Sequence, residues 1–216
     1  SPDVAVDALF RKAGIVRCYG REDLTTVAAV FQQNELKGKN IAIITHAGGP
    51  GVMLTDVLSK GGLEIPHIKG EKASELLQKL FPGSSVANPI DFLATGTAEQ
   101  LGIIIDYCEN YFNEIDAMVV IFGSPGLFPV FDVYDVLDEK MKTCRKPIYP
   151  VMPSLKGTAE EIVHFQSKGR QSFPEEVLLG SALTKVFSNP KPQPENIELP
   201  EIDKKTIKEI IAKAQN

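Results

Sequence analysis

The sequence is 216 residues long and 43% hydrophobic, enough to supply the core of one large domain or of a domain with a small satellite, so a globular chain is expected. A net charge of −5 and a pI near 5.3, with Lys and Arg dispersed among acids, argue against a nucleic-acid groove. No apolar stretch reaches the ~20 residues that span a bilayer, and the opening Ser-Pro-Asp-Val lacks the basic and apolar regions of a signal peptide, so a cytoplasmic enzyme or subunit is expected.

In chain order, the pattern predicts a short helix around Val4 to Ala13 stopped by Gly14, then a short strand from Ile15 to Cys18. Leu24, Val27, Ala28 and Phe31 mark a second amphipathic helix at i, i+3, i+4 and i+7. The turn Lys37-Gly-Lys-Asn40 leads into a buried strand at Ile41, and a helix from about Gly49 to Lys60 follows, its apolar face set by Val52, Met53, Val57 and Leu58. Gly61-Gly62 stops that helix, Leu63 to Pro66 suggests another short strand, and Leu76, Leu77 and Leu80 fit the next helix. The stretch Pro82 to Phe92 reads as a loop broken by two prolines.

Thr97 or Thr95 is placed to cap a helix running to Tyr111, with Leu101, Ile104, Ile105 and Cys108 facing the core. Ala117 to Phe122 is a nearly continuous apolar run, the signature of a central parallel strand. After Gly123-Ser-Pro-Gly126 come a helix from about Val130 to Cys144, a strand from Ile148 to Met152, a helix near Thr158 to Ser167, the segment Arg170 to Phe173, and a helix from Glu175 to Phe187. Ser188 to Asn196 contains three prolines and reads as an extended linker, after which Ile202, Ile207, Ile210 and Ile211 mark a short helix.

Strands alternating with helices predict an α/β fold, an open, mostly parallel sheet with helices on both faces. Ligands of such sheets bind beyond the carboxyl ends of the strands. The turns His46 to Gly51, Asn88 to Thr97 and Gly123 to Gly126 are therefore expected to converge on one site. The first is the most informative. Gly48, Gly49 and Gly51 remove side chains where the backbone turns or a ligand approaches, and Pro50 is tolerated in a first helical turn. The uncovered amides and the helix dipole, roughly half a positive charge at that end, suit an anion such as phosphate. Neither a P-loop nor a G-x-G-x-x-G is present, so a plain structural turn stays open beside the anion seat. Cys18, Cys108 and Cys144 and the histidines His46, His67 and His164 are scattered without ligand spacing, and no metal site of the chain's own is expected.

The T-H-A-G-G-P-G-V core within Ile41 to Leu58, the Asn88-Pro-Ile-Asp91 loop, the Asp116 to Pro125 strand and loop, and the segment ending Phe173-Pro-Glu-Glu-Val177 occur together in one order and spacing. In this the chain resembles ADP-forming acyl-CoA synthetases of the acetate-CoA ligase type, within the succinyl-CoA ligase superfamily, as far as about Phe187. The resemblance implies a flavodoxin-like ligase-CoA domain over residues 1–187, with completion of a preceding domain as the alternative for 1–38, a Pro-rich linker over 188–200, and in 201–216 the entry to an ATP-grasp domain.

It implies the reaction of an acid, CoA and ATP to acyl-CoA, ADP and phosphate through an acyl phosphate and a phosphohistidine, with CoA, ATP and Mg used by the full enzyme and none held tightly by this chain. The expected partners are the CoA-binding phosphohistidine domain and the ATP-grasp domain of the same enzyme, and the isolated chain is expected to be inactive. In the family the phosphohistidine lies between two helix N-termini, one of which matches the turn Gly48 to Gly51. The expected phosphate-binding residues are Ala47, Gly48, Gly49, Gly51 and Val52, with Gly123 and Ser124 from the later loop. Asp91 matches the family's acidic loop residue, its alternative being a turn or cap residue.

His46 resembles a phosphoryl acceptor, since neutral imidazole accepts phosphoryl groups near pH 7. The family's nucleophilic histidine belongs to the preceding domain, however, and related domains carry asparagine at this position, so His46 is read as a pocket-lining donor ahead of a nucleophile. Two other classes remain: a stand-alone phosphate- or nucleotide-binding module without catalysis, and a flavin or receiver-type domain, which the absence of tryptophan and of an acidic pair after the first strong strand disfavours.

Overall fold

The chain forms strands β1 (Ile41–Thr45), β2 (Ile90–Asp91), β3 (Ala117–Ile121) and β4 (Ile148–Val151). Its helices are α1 (Asp3–Ala13), α2 (Arg21–Val30), α3 (Gly48–Lys60), α4 (Glu71–Leu77), α5 (Ala98–Asn110), α6 (Phe131–Thr143), α7 (Ala159–Ser167), α8 (Glu176–Ser188) and α9 (Lys204–Ala214). The computed structural model describes residues 2–124, 126, 129–153, 156–192 and 202–214. Val16–Asn189 makes one compact unit, and Ser1–Ile15 with Pro190–Asn216 makes another.

In the larger unit the sheet is parallel throughout, in the order β2-β1-β3-β4, with Ile44 opposite Ile90, Ile43 opposite Val119 and Val119 opposite Tyr149. Every residue of β1, β3 and β4 is buried, which is why these strands read as continuous apolar runs. Alternate residues serve opposite layers. Ala42, Ile44, Met118 and Val120 pack with α5, α6 and α7, whereas Ile41, Ile43, Val119 and Ile121 pack with α2, α3 and α8. This is the open, doubly covered α/β fold expected from the sequence.

The sheet is wider at its edges than its strands suggest. Glu64 bridges Asn40 beside the start of β1, and Phe173 bridges Val151 at the far edge, so the segments Leu63 to Pro66 and Arg170 to Phe173 each contribute one paired residue. Ile15 to Cys18 forms no strand. The loop expected over 82–92 contains β2, which a side chain completes. Asn88 Oδ1 accepts from Ile43 N–H at 2.9 Å, while Asn88 Nδ2 donates to the carbonyls of Ile41 at 2.9 Å and Pro66 at 3.0 Å. Asn88 thus fills the ladder between Glu64 and Ile90 with side-chain amide groups.

Helix existence follows the sequence more closely than helix orientation. Leu101, Ile104, Ile105 and Cys108 of α5 are all fully buried, and Thr97 closes a capping box with Gln100. On α2, Val27 and Val30 face inward, while Leu24, Ala28 and Phe31 are exposed. Packing against α8 and the Asp23–Lys185 ion pair select the inner face there. On α3 the buried residues are Gly51, Leu54 and Leu58; Val52 and Met53 are exposed, since the close approach to the sheet is made on the glycine side.

In the smaller unit, α1 ends at Gly14 with φ 69°, and a Cβ there would come within 2.6 Å of Pro192 Cδ. The α9 isoleucines Ile207, Ile210 and Ile211 are exposed. Most of the expected linker, 193–200, lies outside the described residues. No helix among the described residues is long and apolar enough to cross a membrane.

Candidate anion-binding site

At the carboxyl ends of the strands the loops after β1 and β2 meet, and Phe122, just ahead of the third expected loop, packs against both. A Cβ on Gly48 would lie 3.5 Å from Asp91 Oδ2, and one on Gly51 would lie 3.3 Å from Thr45 Cγ2 and 3.5 Å from Pro89 Cβ. The His46 ring rests 4.6 Å from the Phe122 ring, and Phe122 stacks at 5.9 Å on Phe92. One aromatic side chain from the end of β3 therefore touches the loops after β1 and β2.

The amides at the start of α3 divide into two kinds. Ala47 N–H donates to Thr45 Oγ1 at 3.0 Å, and that hydroxyl donates in turn to Ala47 O at 2.7 Å, a local Thr turn that occupies the Ala47 amide. Pro50 has no N–H. Val52, at the fifth helical position, lies within the i→i−4 ladder. Gly48 and Gly49 carry the orphan N–H groups, and the N-cap Ala47 supplies no side chain to satisfy them.

Nothing lies within 4 Å of a Cβ built on Gly49, so no contact within the described chain requires glycine there. Across the larger unit, α3 is also the helix without an acidic residue in its first turn; α2, α4, α5, α6, α7 and α8 each carry at least one. The helix itself supplies no negative charge to the positive end of its dipole; the carboxylate beside Gly48 is that of Asp91, from the end of β2.

His46 Nδ1 lies 3.2 Å from Ile121 O. A carbonyl only accepts, so Nδ1 carries the proton and Nε2 of the neutral ring is the acceptor. Burial pushes the imidazole below its usual range, against the opposing pull of the Ile121 carbonyl and the Asp91 carboxylate. His46 is thus neutral at pH 7 and donates from Nε2 only once protonated. Asp91 Oδ1 accepts from Leu93 N–H at 2.9 Å, so the turn role open to it in the sequence is also real. Ser124 donates to Gly126 O at 2.6 Å, and Gly123 sits buried beside it at the end of β3.

Among the described residues no group of three or more His, Cys, Asp or Glu side chains is arranged to hold a metal ion. Cys108 and Cys144 are buried, and burial pushes their thiols up to about 12 and about 11, values that make them inert packing residues. His164 pairs with Asp135 at 2.9 Å on α6, away from β1 in the contact pattern. Sequence reasoning missed Thr45, Ile121 and Phe122. A hydroxyl two residues before a glycine turn is a signal for the first, but nothing local marks a strand carbonyl as a histidine anchor.

Together the fold and the rim define a parallel α/β domain that presents a helix N-terminus, a neutral imidazole and a carboxylate at the carboxyl ends of its strands. No family model matches the chain. It is 33% identical over 93 residues to the alpha subunit of acetate–CoA ligase [ADP-forming] II of Pyrococcus furiosus, covering 43% of this chain and 20% of that protein. It is 23% identical over 165 residues to the 4-hydroxybutyrate–CoA ligase [ADP-forming] of Nitrosopumilus maritimus, covering 75% of this chain and 23% of that protein.

The dinucleotide forming acetyl-coenzyme A synthetase 1 of Ca. Korarchaeum cryptofilum, solved in complex with phosphate and ADP, superposes with a TM-score of 0.75 at 19% identity. That match covers 87% of this chain and 41% of the other. The curated relatives are therefore ADP-forming CoA ligases, and the chain spans about a fifth of their length.

Proposed function

We propose that the chain is one domain of an ADP-forming acyl-CoA synthetase, and that the start of α3 holds the phosphoryl group of a phosphohistidine supplied by another domain. The observation that carries this reading is the pair of orphan amides, Gly48 and Gly49, at a helix N-terminus with no acidic first turn and open space in front of Gly49. Two N–H donors and the dipole offset phosphoryl charge without any reorganisation of the protein.

The neighbours favour a phosphoryl group borne on imidazole over a bare dianion. A carboxylate beside an anion seat repels a second negative charge, but it accepts a hydrogen bond from an imidazole N–H. Asp91 has Oδ2 placed against Gly48 for that role. His46 stands beside the start of α3, and an arriving phosphate would draw a proton onto its Nε2, making it a donor. A second reading rests on the same atom: an unprotonated Nε2 is what a phosphoryl acceptor needs.

In this account residues 1–187 form the ligase domain, with 1–38 open to completing a preceding one, 188–200 are a Pro-rich linker, and 201–216 begin an ATP-grasp domain. CoA, ATP and Mg act at sites completed by the CoA-binding phosphohistidine domain and the ATP-grasp domain of a cytoplasmic enzyme, and the chain alone is inactive. The competing account is a stand-alone phosphate- or nucleotide-binding module. Joining the chain to the missing domains and following phosphohistidine and acyl-CoA formation from ATP separates them. Activity that appears on joining supports the ligase reading, and its loss with Gly49→Val supports the seat at the start of α3; no activity on joining overturns the first, and an unaffected Gly49→Val enzyme overturns the second.

A further inference from the structure

Beneath the rim, the otherwise apolar layer between the sheet and α6 and α7 contains a buried polar network. Tyr134 on α6 is fully buried, and its hydroxyl donates to Phe122 O at 3.1 Å. Thr158, 1% exposed at the start of α7, lies beside the same phenol. Glu161 on α7, also buried, accepts from Val130 N–H at 3.4 Å. These contacts grip the loop after β3 at both ends, Phe122 where it leaves the strand and Val130 where it enters α6.

Phe122 is also the residue on which His46 rests, and the preceding carbonyl, Ile121 O, holds the His46 proton. Phe122 N–H donates to Val151 O at 3.0 Å. Both polar groups of Phe122 are thus committed, the N–H to the sheet and the carbonyl to Tyr134. A buried, satisfied network of this kind fixes one backbone geometry, because any displacement leaves a polar group unpaired.

We infer that Tyr134 is a positioning residue for the anion site: through the Phe122 carbonyl it sets the residue on which the His46 ring rests and the peptide that presents Gly123 and Ser124. The inference rests on the proposed site but not on the identity of the phosphoryl donor. Tyr134 touches no ligand; it acts through the backbone. Removing its hydroxyl leaves Phe122 O without a partner and frees the following peptide to rotate, which loosens the surface beneath the imidazole and lets water reach it.

The test is Tyr134→Phe in the full chain, with Tyr107→Phe as control, since the Tyr107 hydroxyl binds Glu75 on the opposite side of α5. His46 ring titration and phosphate-induced amide shifts are followed by NMR. Tyr134→Phe is expected to move the His46 midpoint up toward the ordinary value, to shift the Gly123 and Ser124 amides, and to weaken phosphate binding about fivefold, the loss of roughly one hydrogen bond. Tyr107→Phe should change none of these.

An unchanged His46 midpoint with unchanged Gly123 and Ser124 amides overturns the inference. If Tyr134→Phe does not fold, Thr158→Val removes only the outer member of the network and is read against the same two outcomes. Failure of the wild-type chain to bind phosphate would count against the proposed function, while the His46 readout still decides the role of Tyr134.

Discussion

His46 Nδ1 and Ile121 O, 3.2 Å apart, join the loop after β1 to the end of β3 and fix the tautomer of the imidazole at the rim. The lowered pKa has a definite sign in stability. The unfolded chain takes up a proton at His46 near pH ~6.5 and the folded chain only at lower pH. The contribution is therefore fully present above about pH 6.5 and is lost as pH falls through the folded value. NMR titration should place the His46 midpoint below ~6.5 and saturating phosphate should raise it; a midpoint that phosphate does not move would separate His46 from the anion site.

His46→Asn separates wall from nucleophile. Asparagine keeps a polar side chain against the Ile121 carbonyl but cannot carry a phosphoryl group. The assembled enzyme should retain phosphohistidine formation with this substitution, at reduced rate, and complete loss of labelling with the fold intact would make His46 the acceptor.

Two glycines on helices of the same layer should respond in opposite ways. Gly180→Leu drives a side chain into α3, where even a Cβ would lie 2.9 Å from Val57 Cγ1 and 3.0 Å from Leu54 Cδ1, and should destabilise by about 1–3 kcal/mol. A Cβ on Gly49 has nothing within 4 Å outside its own helix backbone, so Gly49→Val should leave thermal stability nearly unchanged while abolishing phosphate-induced shifts. Calorimetry and the NMR titration together check the pair.

Asn88→Ala should be among the most destabilising changes outside the aliphatic core. It strands the Ile43 N–H and the Ile41 and Pro66 carbonyls at a half-buried edge, and one unsatisfied buried group costs about 1–3 kcal/mol. Urea unfolding of the variant measures the loss; a change within error would mean that water replaces the side chain.

The same residue shows why part of the fold was hidden in the sequence. β1, β3 and β4 are runs of buried aliphatic residues and declare themselves, as does the α5 face Leu101, Ile104, Ile105 and Cys108. β2 is two residues long in a Pro-broken loop, and its ladder is completed by an Asn side chain, which no periodicity records. The faces of α2 and α3 were misplaced because apolar residues occur on both sides; the choice is made by α8, which packs against both helices. At the rim, the glycine turn was legible. That Thr45 takes the Ala47 amide, leaving Gly48 and Gly49 as the orphan donors, depends on side-chain direction at the end of β1.

Buried charge supplies a further pH effect, away from the rim. The Asp138 side chain is 1% exposed, with Arg170 Nε at 2.6 Å and Lys142 Nζ at 2.7 Å. Burial alone would push its carboxyl up, but the Lys142 and Arg170 hydrogen bonds prevail and hold it below the usual range. Its stabilisation is present above about pH 4 and lost as pH falls through the folded value. Arg170→Ala should destabilise by about 1–3 kcal/mol, because it removes one partner of a buried carboxylate that keeps Lys142, and should flatten the acid limb of a stability–pH curve.

The central claim is tested most directly by titrating the chain with inorganic phosphate against chloride at matched ionic strength, following backbone amides by NMR. Saturable shifts led by Gly48 and Gly49, with smaller ones at Asp91 and Ser124 and little change at Ala47, are the predicted result. Shifts that are absent, or that chloride reproduces, would contradict a preformed phosphoryl seat at the start of α3.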